Sequence, residues 1–300
     1  MTALLSWTYE LGITLATHTR LFKSRIGRST LLPLASLAIL LLDRMLPNPM
    51  HVRGLVLNYK RCDRSLYVLA LLLGRYEPGT TRLFKSLIRP GMTVVDLGAH
   101  IGYYSLLAAQ ALGSQGTVHA FEPEPSNFML LKRNIEANGY EDTIMPIPKA
   151  VARSPGTLRL FVGKSDSRGA SKYSTRHVGK SSVEVDTVSL DSFFSEIGWP
   201  AVHLIKMDVE GAEKEALEGM KELSRRNPEQ KLIMEFAPEN LRAANVSPGE
   251  LLDTLHGLGF RRIFIIPDLS GQLEPVNVPD GIDHLLARCA DGNVDLLCEK

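Results

Sequence analysis

Acids and glycines at the ends of apolar runs are the residues of this chain with the clearest chemistry. Asp96 closes Thr93-Val94-Val95, and Gly98-Ala99-His100-Ile101-Gly102 turns away from it. Glu122 ends a second run, Thr117 to Phe121, and Pro123 follows. The glycines at 98 and 102 do not meet G-x-G-x-x-G, the spacing that brings bare backbone up to a pyrophosphate at a helix N-terminus. What remains suits an adenosine-bearing ligand without phosphate. The two glycines let the turn run close to it, and Asp96 can attract a cation. Glu122, an acceptor-only carboxylate, can hold both ribose hydroxyls.

S-adenosylmethionine, with its adenosine, sulfonium and ammonium, matches that set. Chemistry in an open α/β sheet gathers outside the C-terminal ends of the strands. That rule adds Asp208, which ends the run from Val202, and Glu235, inside Leu232 to Phe236. Lys206 interrupts an apolar strand and needs a partner to offset its desolvation. Asp208 or Glu210 could be that partner, since alternate strand positions share a face. A plainer role for Asp208 and Glu210 is to cap the helix that opens at Glu210-Gly211-Ala212-Glu213. Asp208, Glu210 and Glu235 could also hold a divalent cation, although no spacing requires one and no metal is expected.

These residues need an alternating strand and helix frame, and the hydrophobic pattern supplies it. Strands are expected over Thr93–Leu97, Thr117–Phe121, Thr143–Ile147, Val202–Asp208 and Leu232–Phe236, with Arg262–Ile266 and Val294–Cys298 as a closing antiparallel pair. Helices are expected over Thr81–Ile88, Gly102–Leu112, Pro125–Asn138 and Pro248–Gly257. This makes a Rossmann-like, seven-stranded, doubly wound α/β sheet. Leu158–Val162 and Val183–Val188 flank a polar Gly163–Ser182 segment, which reads as a β-hairpin insertion with a mobile cover. Leu66–Leu73 is a buried helix or strand that periodicity alone does not settle.

With 300 residues and 44% hydrophobic content, the chain can hold one large core plus an appendage. The 34 basic and 33 acidic residues balance, which argues against a general nucleic-acid binder. Cys62, Cys289 and Cys298 form neither a disulfide framework nor a zinc spacing, so a reducing, cytoplasmic setting is expected. Residues 1–60 read as a hydrophobic and basic helical extension, and 61–300 as the main domain. Leu31 to Leu42 is almost wholly apolar but too short to span a bilayer, and it carries Pro33. Three readings of the extension stand: a helix packed on the domain, a homo-oligomerisation element, or an interfacial helix with residues 20–46 on an anionic membrane surface.

The chain also resembles the FkbM family of S-adenosylmethionine-dependent methyltransferases. Glu77-Pro78, the block from Val94 to Ser105, Phe121-Glu122-Pro123, Ser189-Leu190-Asp191 and especially Ile205-Lys206-Met207-Asp208-Val209-Glu210-Gly211-Ala212-Glu213 carry the likeness. The resemblance implies O-methylation of a small-molecule hydroxyl, commonly on a sugar or a polyketide-like natural product. It implies a cofactor side formed by Glu77, Asp96, Gly98, His100, Gly102 and Glu122, with Ala99 and Pro123 beside them. His100 stands where asparagine is more usual in the family. Asp208 and Glu210 would then lie where the acceptor approaches.

Methyl transfer is an in-line displacement, so the protein chiefly aligns the attacking oxygen and excludes water. Asp208 is the expected base or hydroxyl orienter, tuned by Glu210 and Lys206, with Glu235 as the competing base. Two other readings remain: a membrane-docked binding module without turnover, or a methyltransferase acting on protein or nucleic acid.

Overall fold

The computed structural model describes residues 46–60, 67–162, 181–268, 271–277, 281–290 and 292–300. The chain divides into two units, Met1–Tyr76 with Gly163–Arg168, and Glu77–Val162 with Gly169–Lys300. In the first unit, β1 (Met50–Val52) and β2 (Leu55–Leu57) pair antiparallel. The two residues between them, Arg53 and Gly54, both have positive φ, 52° and 81°. That is the primed turn that matches strand twist, so residues 46–60 contain a hairpin where a helical extension was expected. Helix α1 (Tyr67–Leu72) resolves the Leu66–Leu73 ambiguity in favour of helix. The apolar run Leu31–Leu42 lies outside the described residues, as does all but Leu46 of the expected membrane-contact segment. Among the described residues, no helix is long and apolar enough to cross a membrane.

The second unit is built on β3 (Thr93–Leu97), β4 (Thr117–Phe121), β5 (Ile144–Ile147), β9 (Leu204–Met207), β10 (Lys231–Phe236), β11 (Arg262–Ile266), β12 (Glu274–Pro275) and β13 (Val294–Glu299). Their order is β12-β11-β13-β10-β9-β3-β4-β5. Strands β10, β9, β3, β4 and β5 run parallel, while β13 enters antiparallel between β10 and β11. The expected Rossmann-like sheet is present with eight strands instead of seven. The extra one, β12, is a two-residue edge piece containing Pro275, too short to show a period in sequence.

Helices α2 (Pro78–Leu87), α3 (Tyr103–Leu112) and α4 (Pro125–Asn138) follow the expected pattern. Pro125 opens α4, Glu124 caps it by accepting from Ser126 N and Asn127 N, and Gly139 closes it in the left-handed region. Strand β3 is followed by the turn into α3, and β9 by the turn into α6 (Glu213–Glu218). Chain order reverses between these neighbouring strands, which makes their C-terminal ends the switch point.

One face of the sheet, bearing Val95, Leu97, Ile205, Met207, Met234, Leu296 and Cys298, forms the main apolar core. It packs against α5 (Leu190–Glu196), α6, α7 (Lys221–Arg226), α8 (Pro238–Ala243), α9 (Pro248–Gly257) and α10 (Ile282–Arg288). The alternate residues Asp96, Lys206, Glu235 and Asp295 therefore share the other face.

A separate three-stranded sheet holds β6 (Ala150–Val151), β7 (Gly156–Val162) and β8 (Ser181–Val188), in the order β6-β8-β7. β7 and β8 form the expected antiparallel pair, extended by a third strand parallel to β8. Residues 163–180, the body of the expected cover, lie outside the described residues.

Candidate functional site

The first half of the site is stitched together by backbone donors. Gly98 N and Ala99 N both donate to Phe121 O, at 3.0 and 2.9 Å, which ties the turn after β3 to the end of β4. Glu122 completes the seam, accepting from His100 N at 2.8 Å and Glu124 N at 2.9 Å. Pro123 follows half-buried. Asp96 is 2% exposed and accepts from Ser105 Oγ at 2.6 Å. Burial pushes Asp96 up to about 6, against the pull of Ser105 and Lys206. Burial likewise pushes Glu122 up to about 7, against its two amide donors. Desolvation holds half-buried His100 down to about 4, so it is neutral at pH 7. Asn134 of α4 anchors the turn by donating to Ile101 O at 2.8 Å.

Gly98 has a reason beyond ligand approach. Its φ is 80°, and a Cβ there would stand 1.8 Å from Asp208 O. The turn after β3 thus passes directly over the backbone of the turn after β9, and Asp208 N in return donates to Leu97 O at 2.9 Å. Gly102 has φ 95° and starts α3; a Cβ there would meet Leu131 Cδ1 at 2.7 Å.

The second half is a charge cluster. Lys206 is 1% exposed and pairs across the sheet with Asp96 in register. Its ion pairs are to Asp295 Oδ1 at 3.4 Å and Glu77 Oε2 at 3.9 Å, not to Asp208 or Glu210 as expected. Asp295, on β13 beyond β10, and Glu77, at the start of α2, come within ion-pair distance of the ammonium, while Asp208 acts on it only through space. The ammonium also lies 5.1 Å from the centroid of the Tyr104 ring. Burial pulls Lys206 down, but Asp295, Glu77, Asp208 and Glu235 together reverse this and hold it protonated.

Glu77 caps α2 from the left-handed region, φ 39°, and accepts from Tyr104 Oη at 2.6 Å. Burial and Asp295 push its carboxyl up to about 8, against the pull of Lys206. Asp208 rises to about 7 through burial, with Lys206 pulling down and Glu210 pushing up. Glu235 pairs with Asp295 in register and accepts from Asn293 Nδ2. Burial, then Asp208 and Glu210, raise it well above the carboxylate range.

The cap-only role for Asp208 and Glu210 does not hold. Helix α6 is capped by Ala212 without a side-chain bond. Glu210 Oε2 instead accepts from Asn240 Nδ2 at 3.0 Å, and Glu213 Oε1 takes Gly211 N at 3.0 Å. Among the described residues, no group of three or more His, Cys, Asp or Glu has the geometry to hold a metal ion. Three of the six described non-glycine residues with positive φ are Glu77, His100 and Glu210. Such strain persists only where surroundings impose it, and it gathers at functional sites.

Sequence reasoning did not find Asp295 or Thr80. Thr80 Oγ1 donates to Asp295 Oδ2 at 2.5 Å, which ties α2 to β13. The available signal was an acid interrupting the apolar run Val294 to Cys298, the mirror of Lys206 interrupting its own.

A doubly wound sheet with a glycine turn running from a buried acid into a helix at its switch point is an open α/β architecture, the class in which ligands lie outside the carboxyl ends of the strands. Within that class the chain belongs to the FkbM methyltransferase family: the methyltransferase FkbM domain matches residues 96–262 of 300. Methyltransferase 1 of Beauveria bassiana is 29% identical over 145 residues, covering 42% of this chain and 57% of that protein. The hexuronic acid methyltransferase AglP of Haloferax volcanii is 29% identical over 125 residues, 42% of this chain and 48% of that protein. The 31-O-demethyl-FK506 methyltransferase FkbM of Streptomyces tacrolimicus is 29% identical over 164 residues, 45% of this chain and 62% of that protein. The chain thus matches about half to three-fifths of the length of these relatives.

Proposed function

We propose that this chain transfers the methyl group of S-adenosylmethionine to a hydroxyl of a small molecule, a sugar or another glycosylated or polyketide natural product. The observation that carries the reading is an imbalance of charge. Glu77, Asp96, Asp208, Glu235 and Asp295 surround the C-terminal ends of β3 and β9, and among the described residues only Lys206 ion-pairs with any of them. A crevice with that surplus of acid fits a ligand bearing a sulfonium and an ammonium. Glu122, next to it, accepts from two backbone amides and from the Asn127 side chain, and as an acceptor-only carboxylate with roughly four acceptor positions it keeps capacity for a ribose hydroxyl. Glu77, Asp96, Gly98, Ala99, His100, Gly102, Glu122 and Pro123 make up the proposed cofactor side. The names of the hexuronic acid and FK506 enzymes favour a hydroxylated small molecule as acceptor.

The bound cofactor supplies an electrophilic methyl carbon. Asp208 does the proton work: a carboxyl raised to about 7 is about half ionised at neutral pH, and its ionised form is basic enough to accept a hydroxyl proton as the new bond forms. Glu235, raised well above the usual carboxylate range by burial, is the competing base. Glu210, fixed by Asn240, adds negative charge that sustains the basicity of Asp208. Lys206 stays beneath, as the counter-charge.

Calorimetry on the full chain with S-adenosylmethionine should give saturable heat. Methyl-labelled cofactor incubated with sugar and lipid extracts should yield a labelled methyl ether. Absence of saturation on well-folded protein overturns the proposal. Asp208→Asn should bind cofactor and lose turnover; full turnover would remove Asp208 from the role of base.

A further inference from the structure

Asp295 lies outside the matched family domain, on the antiparallel return strand, yet it is the nearest acid to the one buried ammonium of the site. Both of its oxygens are engaged. Oδ2 accepts from Thr80 and Oδ1 from Lys206, at 2.5 and 3.4 Å. Its side chain is 9% exposed and that of Glu77 is 23% exposed, so Asp295 sits on the inner side of Lys206 and Glu77 on the outer side. Thr80 is itself buried and only three positions along α2 from Glu77. The same hook that fixes Asp295 therefore also fixes the end of the helix that presents Glu77.

A buried lysine with a single acid beside it closes onto that acid. Lys206 does not close onto Glu77; it stands 3.9 Å away, leaning toward β13. We propose that Asp295, anchored by Thr80, is a positioning residue that holds the Lys206 ammonium back from Glu77 and so leaves the Glu77 carboxylate open to a cationic ligand. The groups facing Glu77 are Tyr104 from α3, Lys206 and Asp208 from β9 and its turn, and Asp295 from β13. Glu235 from β10 and Asp96 from β3 complete the ring around Lys206 and Asp208, and Asp268, after β11, faces Asp295.

The test reads Glu77 directly, by carboxyl-carbon NMR titration of the ligand-free full chain. In Asp295→Asn the ammonium turns onto Glu77, whose midpoint should fall by about one pH unit or more. In Lys206→Met it should rise by a similar amount, and adding Asp295→Asn to Lys206→Met should lower it far less than Asp295→Asn does alone, because no ammonium is left to move; equal shifts in the two backgrounds overturn the proposal. An unchanged or raised midpoint in Asp295→Asn overturns the proposal. Should Asp295→Asn fail to fold, Thr80→Val decides. Asp295, without its hydroxyl donor, then leans wholly on Lys206 and draws it further from Glu77, so the midpoint should rise; no change or a fall overturns the proposal. The inference rests on the proposed cofactor reading only for the identity of the cation. Calorimetry of wild type with S-adenosylmethionine tests that reading separately, because a failure there leaves the titration shifts in place. Where wild type binds, Asp295→Asn should narrow the preference for S-adenosylmethionine over uncharged-sulfur S-adenosylhomocysteine.

Discussion

The two halves of the site hold their acids in opposite ways. At the ends of β3 and β4, Asp96 and Glu122 are held by neutral donors: a serine hydroxyl, one backbone amide from the turn after each strand, and the Asn127 side chain. Across the switch point, Glu77, Asp208, Glu235 and Asp295 crowd around one ammonium that ion-pairs with only two of them. The first arrangement is complete as folded and can accept further hydroxyl donors. The second is electrostatically unfinished, and a positive ligand would complete it.

The ligand-free protein is least stable when the buried acids in and beside the two halves are ionised. Asp208, Glu122 and Glu213 titrate near 7 and Glu77 near 8, all raised chiefly by burial. An acid raised in the folded state stabilises the fold while protonated, and that contribution is lost as pH climbs through the folded value. Neutral His100 and His119, lowered from 6.5 to about 4, oppose this trend below pH 6.5. The loss is therefore expected to begin above about pH 4.5, to be partly offset by the two histidines up to pH 6.5, and to be complete by about pH 8. Thermal melts across that range should show the melting temperature falling with pH, and S-adenosylmethionine should restore more of it at pH 8 than at pH 6. A flat profile would break the comparison.

The joint between the halves is Gly98, over the carbonyl of Asp208. Gly98→Ala combines a left-handed backbone with a Cβ 1.8 Å from that oxygen, and should cost about 2 kcal/mol in urea unfolding. Because the two turns would part, cofactor binding should weaken as well. Ser105→Ala removes one neutral donor from the completed half and should cost only about 1 kcal/mol. It should also raise the Asp96 midpoint, which carboxyl NMR would read. A loss larger than that of Gly98→Ala would reverse the ranking of joint over donor.

Much of this was readable from residues because it depends on local pattern. Apolar runs ending in Asp96 and Glu122, the proline and glycine bracketing Pro125 to Asn138, and the alternation of strand and helix each follow from period and turn chemistry. The two-residue strand β12 carries too little pattern to register. The hairpin at Met50 to Leu57 carries little local signal, because its strands are three residues each and its turn rests on one left-handed arginine beside Gly54.

The sequence by itself determined that Asp96, Glu122, Asp208 and Glu235 would stand at or near the carboxyl ends of strands of an open α/β sheet, since strand limits and side-chain alternation follow from local periodicity. Only the tertiary structure decided which acid Lys206 serves. Asp295 is 89 residues away along the chain. It reaches the ammonium because β13 runs antiparallel between β10 and β11, a register that no local pattern encodes. The partner of a buried charge is set by which strands lie side by side, and that is a property of the folded sheet as a whole.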